Sequence, residues 1–560
     1  MLDLNSVISP SPIRLRSSGE GSAQISWSAL FLALAVVVTC IFSGLGALGL
    51  VGPDEPRYME IARAMLRSGD WITPRLYGQP WFEKPALYYW AAAASSRLFG
   101  INEFAARFPA ALAALLATLA AARAALRSYG LDAAWLTLLL MPTTVASIGL
   151  GRAATPDMLF SALLMASAVC AAEMLETSRP SLPARLAFGI FLGLAALAKG
   201  PAALLLAGGA AFLWALLSRQ WRAVFRLAHP LCVAAFVAVA LPWYAICAIR
   251  NPDFLHVFII EHNVSRYFTT VFSHVQPFWF FLPILLAAVA PWTVLLFPLA
   301  LRAIKRERAE KDWRNSPALF YACWAIFPVL FFSLSQSKLP GYVLPAVPPL
   351  ILLLASALPG FFAESKRTAR WWIALVGCTL PVPFVFSLFW IRRVPTASGL
   401  ANSKVPVVLV VAATLGSLVC IAAAVSRRLR LAVAMEAALA TALLAATNLA
   451  IIPRLDPFLS ARSAALSTPH EALDAGNLAT LGLSRSWQYG LNFYLDRELP
   501  EWNPSMGTQG WVWTTQQGAN SLQAKTKLST VEQVSPEAWL VRLDGDRSEP
   551  HDAETAAKRD

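Results

Sequence analysis

Val405-Pro-Val-Val-Leu-Val-Val-Ala-Ala-Thr-Leu-Gly-Ser-Leu-Val-Cys-Ile-Ala-Ala-Ala424 contains no charged side chain. A helix of this length and polarity spans the hydrocarbon core of a bilayer. Similar runs recur along the 560 residues, of which 57% are apolar and 14% charged, with a mean hydropathy of +0.55. The runs are continuous and do not alternate, which excludes a β-barrel. The sequence therefore predicts an all-α polytopic membrane protein.

The apolar pattern predicts 13 spans in all. The first is too long for the core of a signal peptide, so we expect a signal anchor. The fifth and sixth are separated only by Lys199-Gly-Pro201. The predicted spans are centred on residues 26–49, 105–126, 132–150, 157–174, 186–198, 200–217, 229–249, 278–300, 317–335, 341–359, 371–391, 405–424 and 431–452.

The basic residues predict the orientation of these spans. They concentrate in alternate loops, which the positive-inside rule assigns to the cytoplasm together with the N-terminus. Arg392, Arg393 and Lys404 run against this pattern. The net charge of +13 is scattered between apolar runs, so it indicates membrane orientation and no nucleic acid partner.

This topology predicts a domain organisation. We expect a cytoplasmic N-terminus at 1–25, a transmembrane domain at 26–452 with long outer loops at 51–104 and 250–277, and an outer domain at 453–560. The outer domain carries 10 Lys and Arg against 14 Asp and Glu, and alternation at 510–514 and 538–542 predicts strands in a small α/β fold with a disordered end after Arg547. All seven cysteines lie in or beside apolar runs, so we expect no disulfide framework.

The unusual polar motifs all fall on the outer side of this topology. The first outer loop contains Gly52-Pro-Asp-Glu-Pro-Arg-Tyr-Met-Glu-Ile-Ala-Arg63 and Trp81-Phe-Glu-Lys-Pro85, in segments whose spacing predicts interfacial helices. Ionisable groups near a bilayer are costly and mark function or mutual pairing. The unusual polar residues outside the first outer loop are Arg152, Asp157, Lys199, Glu261-His-Asn263, Arg266, Tyr267, Lys338 and Tyr342.

Several of these residues have a structural alternative. Asp54 fits a helix N-cap followed by proline, and Arg152 could pair with Asp157. We favour Asp54 as the catalytic carboxylate, with Lys84 as a point charge and Arg57 as a donor fork for a phosphate. His262 beside Glu83 would suit a divalent cation such as zinc or manganese.

The ordered strings Pro53-Asp-Glu-Pro-Arg-Tyr58, Phe82-Glu-Lys-Pro85, Lys199-Gly200, Glu261-His262, Gln276-Pro-Phe-Trp-Phe280 and Ser337-Lys-Leu-Pro-Gly-Tyr342 are similar to the lipid A aminoarabinose transferases. These belong to the GT-C class of membrane glycosyltransferases, which also contains the protein O-mannosyltransferases. The resemblance implies that Asp54 and Lys84 are catalytic and that Glu83 and His262 hold a metal such as zinc, magnesium or manganese. The substrate-binding candidates are Glu55, Arg57, Tyr58, Arg152, Asp157, Lys199, Arg266, Lys338 and Tyr342.

The resemblance also implies an activity. The donor would be 4-amino-4-deoxy-L-arabinose on undecaprenyl phosphate, and the acceptor a lipid A phosphate at the periplasmic face of the bacterial inner membrane, with polymyxin resistance as the outcome. We expect a monomer. Two alternatives stay open, which are a GT-C transferase with another sugar donor and a glycan or protein acceptor, and a lipid or sugar transporter.

Overall fold

The computed structural model describes residues 26–546, apart from 178, 271–274, 310–312, 365, 392–398, 401, 475, 508 and 536. The predictions for the N-terminus at 1–25 and for the end after Arg547 lie outside the described residues. The same holds for Arg392 and Arg393, whose charges run against the predicted topology.

Long apolar helices dominate the described chain. Within it, eight helices are long and apolar enough to cross a membrane, or up to ten if each of two bent pairs forms one span. Three shorter apolar helices fall on the remaining predicted spans, so each of the 13 predicted positions carries helix. The eight are Glu103–Tyr129, Pro156–Glu176, Leu182–Lys199, Pro230–Arg250, Pro340–Ala363, Arg367–Ile391, Val405–Val425 and Leu429–Ala450, and the shorter three are Trp27–Phe42, Ala202–Ser218 and Pro317–Ser333.

Two spans predicted as single helices are broken. Leu131–Leu140 and Val145–Arg152 meet at 54°, and Phe281–Val289 and Trp292–Ala303 meet at 106°. Pro142 and Pro291 lie in the breaks. Proline lacks the N–H that the helix ladder needs and collides with the preceding turn, so both helices end at these positions.

The outer loops contain secondary structure of their own. The first holds the helix Asp54–Ser68, strands β1 (Arg75–Leu76) and β2 (Gln79–Pro80), and the helix Leu87–Phe99, where interfacial helices were predicted. Pro53 occupies the cap position of the first helix and makes no side-chain cap bond, so Asp54 is the first helical residue and not its N-cap. The second outer loop contains a π-helical stretch, His256–Ser265, followed by Arg266–Phe268.

The domain after the last span is a small α/β fold, as predicted. Strands β3 (Leu478–Leu481), β4 (Gln509–Thr514), β5 (Thr526–Ser535) and β6 (Ala538–Asp546) form a sheet in the order β3-β4-β6-β5. Strands β3 and β4 are parallel, and the other pairs are antiparallel. Its helices are Ile452–Leu459, Arg462–Leu466, His470–Asp474, Arg485–Tyr494 and Gln516–Lys525.

Candidate active site

The Glu83 carboxylate is the centre of a cationic cluster on the outer side. Its Oε2 lies 3.0 Å from Arg57 Nη2, and its Oε1 lies 3.3 Å from Lys84 Nζ and 3.7 Å from Arg266 Nη1. Burial alone would raise the pKa of Glu83, but the three cations lower it to about 2. Three cations therefore surround the ionised carboxylate of Glu83. This local excess of positive charge favours the binding of an additional anion.

Asp54 lies beside this cluster at the start of its helix. Its Oδ1 is 2.5 Å from Arg57 Nη2, so Arg57 bridges Asp54 and Glu83. The Asp54 side chain is 48% exposed, whereas that of Arg57 is 7% exposed, which leaves the carboxylate open to a ligand. Burial raises the pKa of Asp54 above its usual value, and Arg57 partly offsets this rise. The structure therefore brings Asp54, Arg57 and Glu83 together, and their predicted roles stay predictions.

Lys199 and Asp157 form a second ion pair next to the cluster. Lys199 Nζ also lies 4.7 Å from the centre of the Tyr342 ring, and Tyr342 receives a hydrogen bond from Arg266. A Cβ on Gly341 would lie 2.8 Å from Asp157 Oδ2. The Lys338-Leu-Pro-Gly-Tyr342 segment therefore needs glycine where it passes Asp157.

The structure places two other predicted substrate-binding residues in structural contacts. Arg152 donates to the Ser43 carbonyl and not to Asp157. The Glu55 carboxylate accepts from Arg107, from the Val51 N–H at 2.8 Å and from the Ala154 N–H at 2.7 Å. These contacts account for the burial of Glu55 without a substrate, whereas the buried Nε of Arg152 has no hydrogen-bond partner within the described residues.

Tyr58 and Lys338 are also buried. Tyr58 packs against the rings of Tyr88 and Tyr89 at 6.0 and 5.8 Å between centroids, beneath the Arg57 guanidinium. Lys338 Nζ donates to the Ser335 carbonyl at 2.5 Å. Their predicted contact with substrate stays a prediction.

The predicted metal ligands give a poor environment for a divalent cation. His262 is close enough to Glu83 to affect its charge, but Glu261 faces His256 at 3.6 Å. The described residues contain no group of three His, Cys, Asp or Glu side chains with the geometry of a metal site. Because both oxygens of Glu83 face cations, a dication there would be repelled. The metal held by Glu83 and His262 stays a prediction.

Three contributors to the site were not predicted from the sequence. Arg107 bonds Glu55 in the helix Asp54–Ser68, and the rings of Trp81 and Tyr489 lie next to the Arg57 guanidinium. An arginine inside an apolar span was a signal for Arg107, because such residues are costly unless paired. Tyr489 lies more than 400 residues from Arg57 in sequence, and no local pattern marks its contact.

The chain was compared with known proteins. Residues 27–258 match the family model described as dolichyl-phosphate-mannose-protein mannosyltransferase. The chain is 35% identical over 323 residues to the undecaprenyl phosphate-alpha-4-amino-4-deoxy-L-arabinose arabinosyl transferase of Edwardsiella ictaluri (strain 93-146), covering 57% of each chain. It is also 35% identical over 342 residues to the protein of the same name from Pseudomonas aeruginosa (strain UCBPP-PA14), covering 60% of each. The matched region thus spans little more than half of these relatives.

A solved structure extends the match to nearly the whole chain. The crystal structure of ArnT from Cupriavidus metallidurans bound to undecaprenyl phosphate has a TM-score of 0.77 and 25% identity, and the alignment covers 92% of this chain and 98% of that one. The predicted GT-C fold is confirmed, and so is the predicted resemblance. The chain has the GT-C fold and is a homologue of the undecaprenyl phosphate-aminoarabinose arabinosyl transferases.

Proposed function

We propose that this protein is a membrane glycosyltransferase that moves 4-amino-4-deoxy-L-arabinose from undecaprenyl phosphate to a lipid A phosphate. The reaction takes place at the periplasmic face of the bacterial inner membrane and leads to polymyxin resistance. One observation carries the proposal, which is the cluster of Arg57, Lys84 and Arg266 around Glu83 with an exposed Asp54 beside it. The names of the relatives and the undecaprenyl phosphate bound to the similar structure support the donor.

The cationic cluster suits the leaving group of this reaction. The bond between the anomeric carbon and the phosphate oxygen breaks, and undecaprenyl phosphate leaves with an additional negative charge. Lys84 supplies a point charge and Arg57 a planar donor fork, and both are held in place by Glu83 before substrate binds. Burial lowers the pKa of Lys84, with Glu83 opposing the shift, and a bound phosphate would raise this pKa further.

Asp54 would act on the side of the sugar that faces the acceptor. Burial raises its pKa above the usual value for an aspartate, which makes the carboxylate a better proton acceptor. With a hydroxyl acceptor it would act as a general base. With a phosphate acceptor the nucleophile is already anionic, so Asp54 would position the acceptor or hold the sugar amine, and the new bond forms between the anomeric carbon and a phosphate oxygen.

A second candidate keeps the chemistry and changes the substrates. The match of residues 27–258 to the protein mannosyltransferase family favours a GT-C transferase with another polyprenyl-phosphate sugar and a glycan or protein acceptor. Such an acceptor would present a hydroxyl and would need Asp54 as a base.

The decisive experiment is transfer by the purified full-length protein, with lipid A analysed by mass spectrometry. We expect the mass of one aminoarabinose to be added, and Asp54→Asn to reduce the rate by about a hundredfold, because misplacing a reacting group costs about that much. Asp253→Asn, an exposed carboxylate of the second outer loop, is the control. Transfer to a protein but not to lipid A would select the second candidate, and full activity of Asp54→Asn would remove its assigned role.

The metal is tested by elemental analysis of the same preparation. Zinc, magnesium or manganese at one equivalent, lost in both Glu83→Gln and His262→Ala, would support it. Absence of a stoichiometric metal from active protein would rule it out.

A further inference from the structure

One helix of the outer domain presents three large side chains in a single stripe. Arg485, Tyr489 and Phe493 are spaced four residues apart in the helix Arg485–Tyr494, which places them on one face. Phe493 is buried in the cluster formed by the first outer loop. The stripe therefore begins at Phe493, which is buried against that loop, and it continues along the helix to the exposed Arg485.

The lower end of this helix is fixed to the first outer loop by polar contacts. Arg63 donates to the Phe493 carbonyl at 2.9 Å, and the Tyr494 hydroxyl donates to Glu103 at 2.8 Å. Both carboxylate oxygens of Asp496 accept from Arg67, at 2.7 and 2.6 Å. Such contacts at several points fix the register of the helix against the loop.

Tyr489 reaches the catalytic cluster from this docked helix. The Cζ atom of Arg57 lies 5.9 Å from the centre of the Tyr489 ring, and Tyr77 stacks on the same ring at 6.5 Å. Tyr77 is at φ +50° and Gly78 at φ +81°, the two-residue turn of the β1–β2 hairpin, and Asn492 donates to the Tyr77 hydroxyl at 3.2 Å. A strained turn held in this way positions the ring that supports Tyr489.

Arg485 continues the stripe with an exposed positive charge. Its Cζ atom lies 5.9 Å from the Tyr489 ring, and within the described residues no carboxylate lies within ion-pair distance. In the same described part of the chain, the buried Nε of Arg57 has no hydrogen-bond partner. The ion pairs that the described residues form here join Arg57, Lys84, Lys199 and Arg266 to Asp54, Glu83 and Asp157, and Arg485 adds a further cation.

We propose that Arg485 and Tyr489 form an acceptor subsite, in which the outer domain binds an anionic phosphate group of the acceptor beside Arg57. A guanidinium and a phenol hydroxyl donate to phosphate oxygens, and the ring keeps the two guanidinium groups apart. This inference rests on the proposed function and adds that the outer domain supplies the phosphate recognition. The inference leaves the donor phosphate to Lys84, which lies beside Glu83.

The test is a pair of measurements on the purified full-length protein in detergent. The first is the binding of bisphosphorylated lipid A and of lipid A stripped of both phosphates. The second is transfer with donor and acceptor varied separately. We expect Arg485→Ala to weaken binding of bisphosphorylated lipid A and to raise its KM by about tenfold, since a charge-assisted hydrogen bond is lost. The kcat and the donor KM should stay within about twofold of the unaltered protein.

Matched variants distinguish the effect of losing this subsite from the effect of losing any positive charge in the outer domain. Tyr489→Phe should weaken acceptor binding less than Tyr489→Ala, because the ring remains under Arg485. Lys527→Ala removes an exposed cation from strand β5 of the same domain and should change nothing. The proposal would be overturned if both Arg485→Ala and Tyr489→Ala bound the acceptor as tightly as the unaltered protein. It would also be overturned if the variants lost affinity for dephosphorylated lipid A as much as for the bisphosphorylated form. Normal acceptor binding without transfer by the unaltered protein would count against the proposed function alone.

Discussion

Arg57 is the residue that connects the parts of the site. Its guanidinium bridges Asp54 and Glu83 and lies over the rings of Tyr58, Trp81 and Tyr489, at 5.3 to 5.9 Å from their centres. The aromatic rings hold the charge without competing for its N–H groups. One side chain can therefore organise a donor site, a catalytic carboxylate and the outer domain together.

Glu83→Gln should destabilise the protein in a manner that depends on pH. Burial opposes ionisation of Glu83, but its cations lower the pKa from 4.5 to about 2, so its stabilising contribution is fully present above pH 4.5 and is lost as the pH falls toward 2. We expect the variant to melt at a lower temperature than the unaltered protein at pH 6, and the difference to narrow below pH 4.5. Thermal melts in detergent measure this, with Glu532→Gln on an exposed edge strand as the control. A difference that stays constant down to pH 3 would contradict it.

The sequence predicts on which side of the membrane these residues lie, but it does not predict the direction in which each side chain points. The positive-inside rule gathered Asp54, Glu55, Lys84 and Lys199 on the outer face, and the structure brings three of them together. Glu55 follows Asp54 in the chain, yet one step along a helix rotates a side chain by about 100°, which turns Glu55 to the interior. Only the position of Arg107 decides which carboxylate of the pair faces the site.

At the scale of elements, the acidic helix Asp54–Ser68 is anchored by one arginine of a neighbouring span. Arg107 donates to both oxygens of Glu55, at 3.0 and 2.6 Å, and to the carbonyls of Leu45, Leu48 and Gly49 at 2.6 to 2.8 Å. All five donors of the guanidinium are used. The start of the acidic helix, and with it Asp54, is thereby fixed to the end of the first span.

Arg107→Ala should lower the free energy of unfolding by about 3–5 kcal/mol, since it leaves the buried Glu55 charge unpaired. We also expect a lower kcat, because Asp54 loses its fixed position. Denaturation in detergent and transfer kinetics check the two effects. Arg97→Ala, an exposed arginine on the next helix, is the matched control. A loss of stability no larger than that of the control would show that the network does not anchor the helix.

The close approach of two segments at Gly341 gives a separate prediction. Gly341→Ala would place a methyl group 2.8 Å from Asp157 Oδ2, so either Asp157 or the segment before Tyr342 must move. Such overpacking costs about 1–3 kcal/mol, and we expect transfer to fall because the Lys199–Asp157 pair is displaced. Gly149→Ala meets no atom within 4 Å and should be tolerated. Equal activities of the two variants would mean that this pair is not required.

Across the whole molecule, the apolar runs predicted where helices lie, because hydropathy depends only on local composition. The breaks at Pro142 and Pro291 were missed since the apolar run continues through each proline. The docking of the outer domain was also beyond prediction. It depends on pairs such as Arg67 and Asp496, which are far apart in sequence and have no periodicity.

Arg462 makes one of the contacts that join the outer domain to the membrane domain. Arg462 bonds Asp456 at 2.6 and 2.9 Å, Glu103 at 3.2 Å, and the carbonyls of Gly46 and Ala47 at 3.4 and 3.2 Å. Asp456 in turn accepts from the Gly49 N–H at 2.6 Å, so removing Arg462 leaves a buried carboxylate with less compensation.

Arg462→Ala should therefore loosen the outer domain from the first outer loop. We expect faster amide hydrogen exchange in the helix Arg485–Tyr494 and in the β1–β2 hairpin, together with weaker binding of the acceptor, because Tyr489 no longer rests against Arg57. Exchange in the spans far from the interface should stay unchanged. Arg454→Ala, at an exposed arginine whose side chain donates to the Ala450 carbonyl, is the control. Unchanged exchange at the helix in Arg462→Ala, with acceptor binding intact, would mean that the remaining contacts of Arg63, Arg67 and Tyr494 suffice to hold the domain in place.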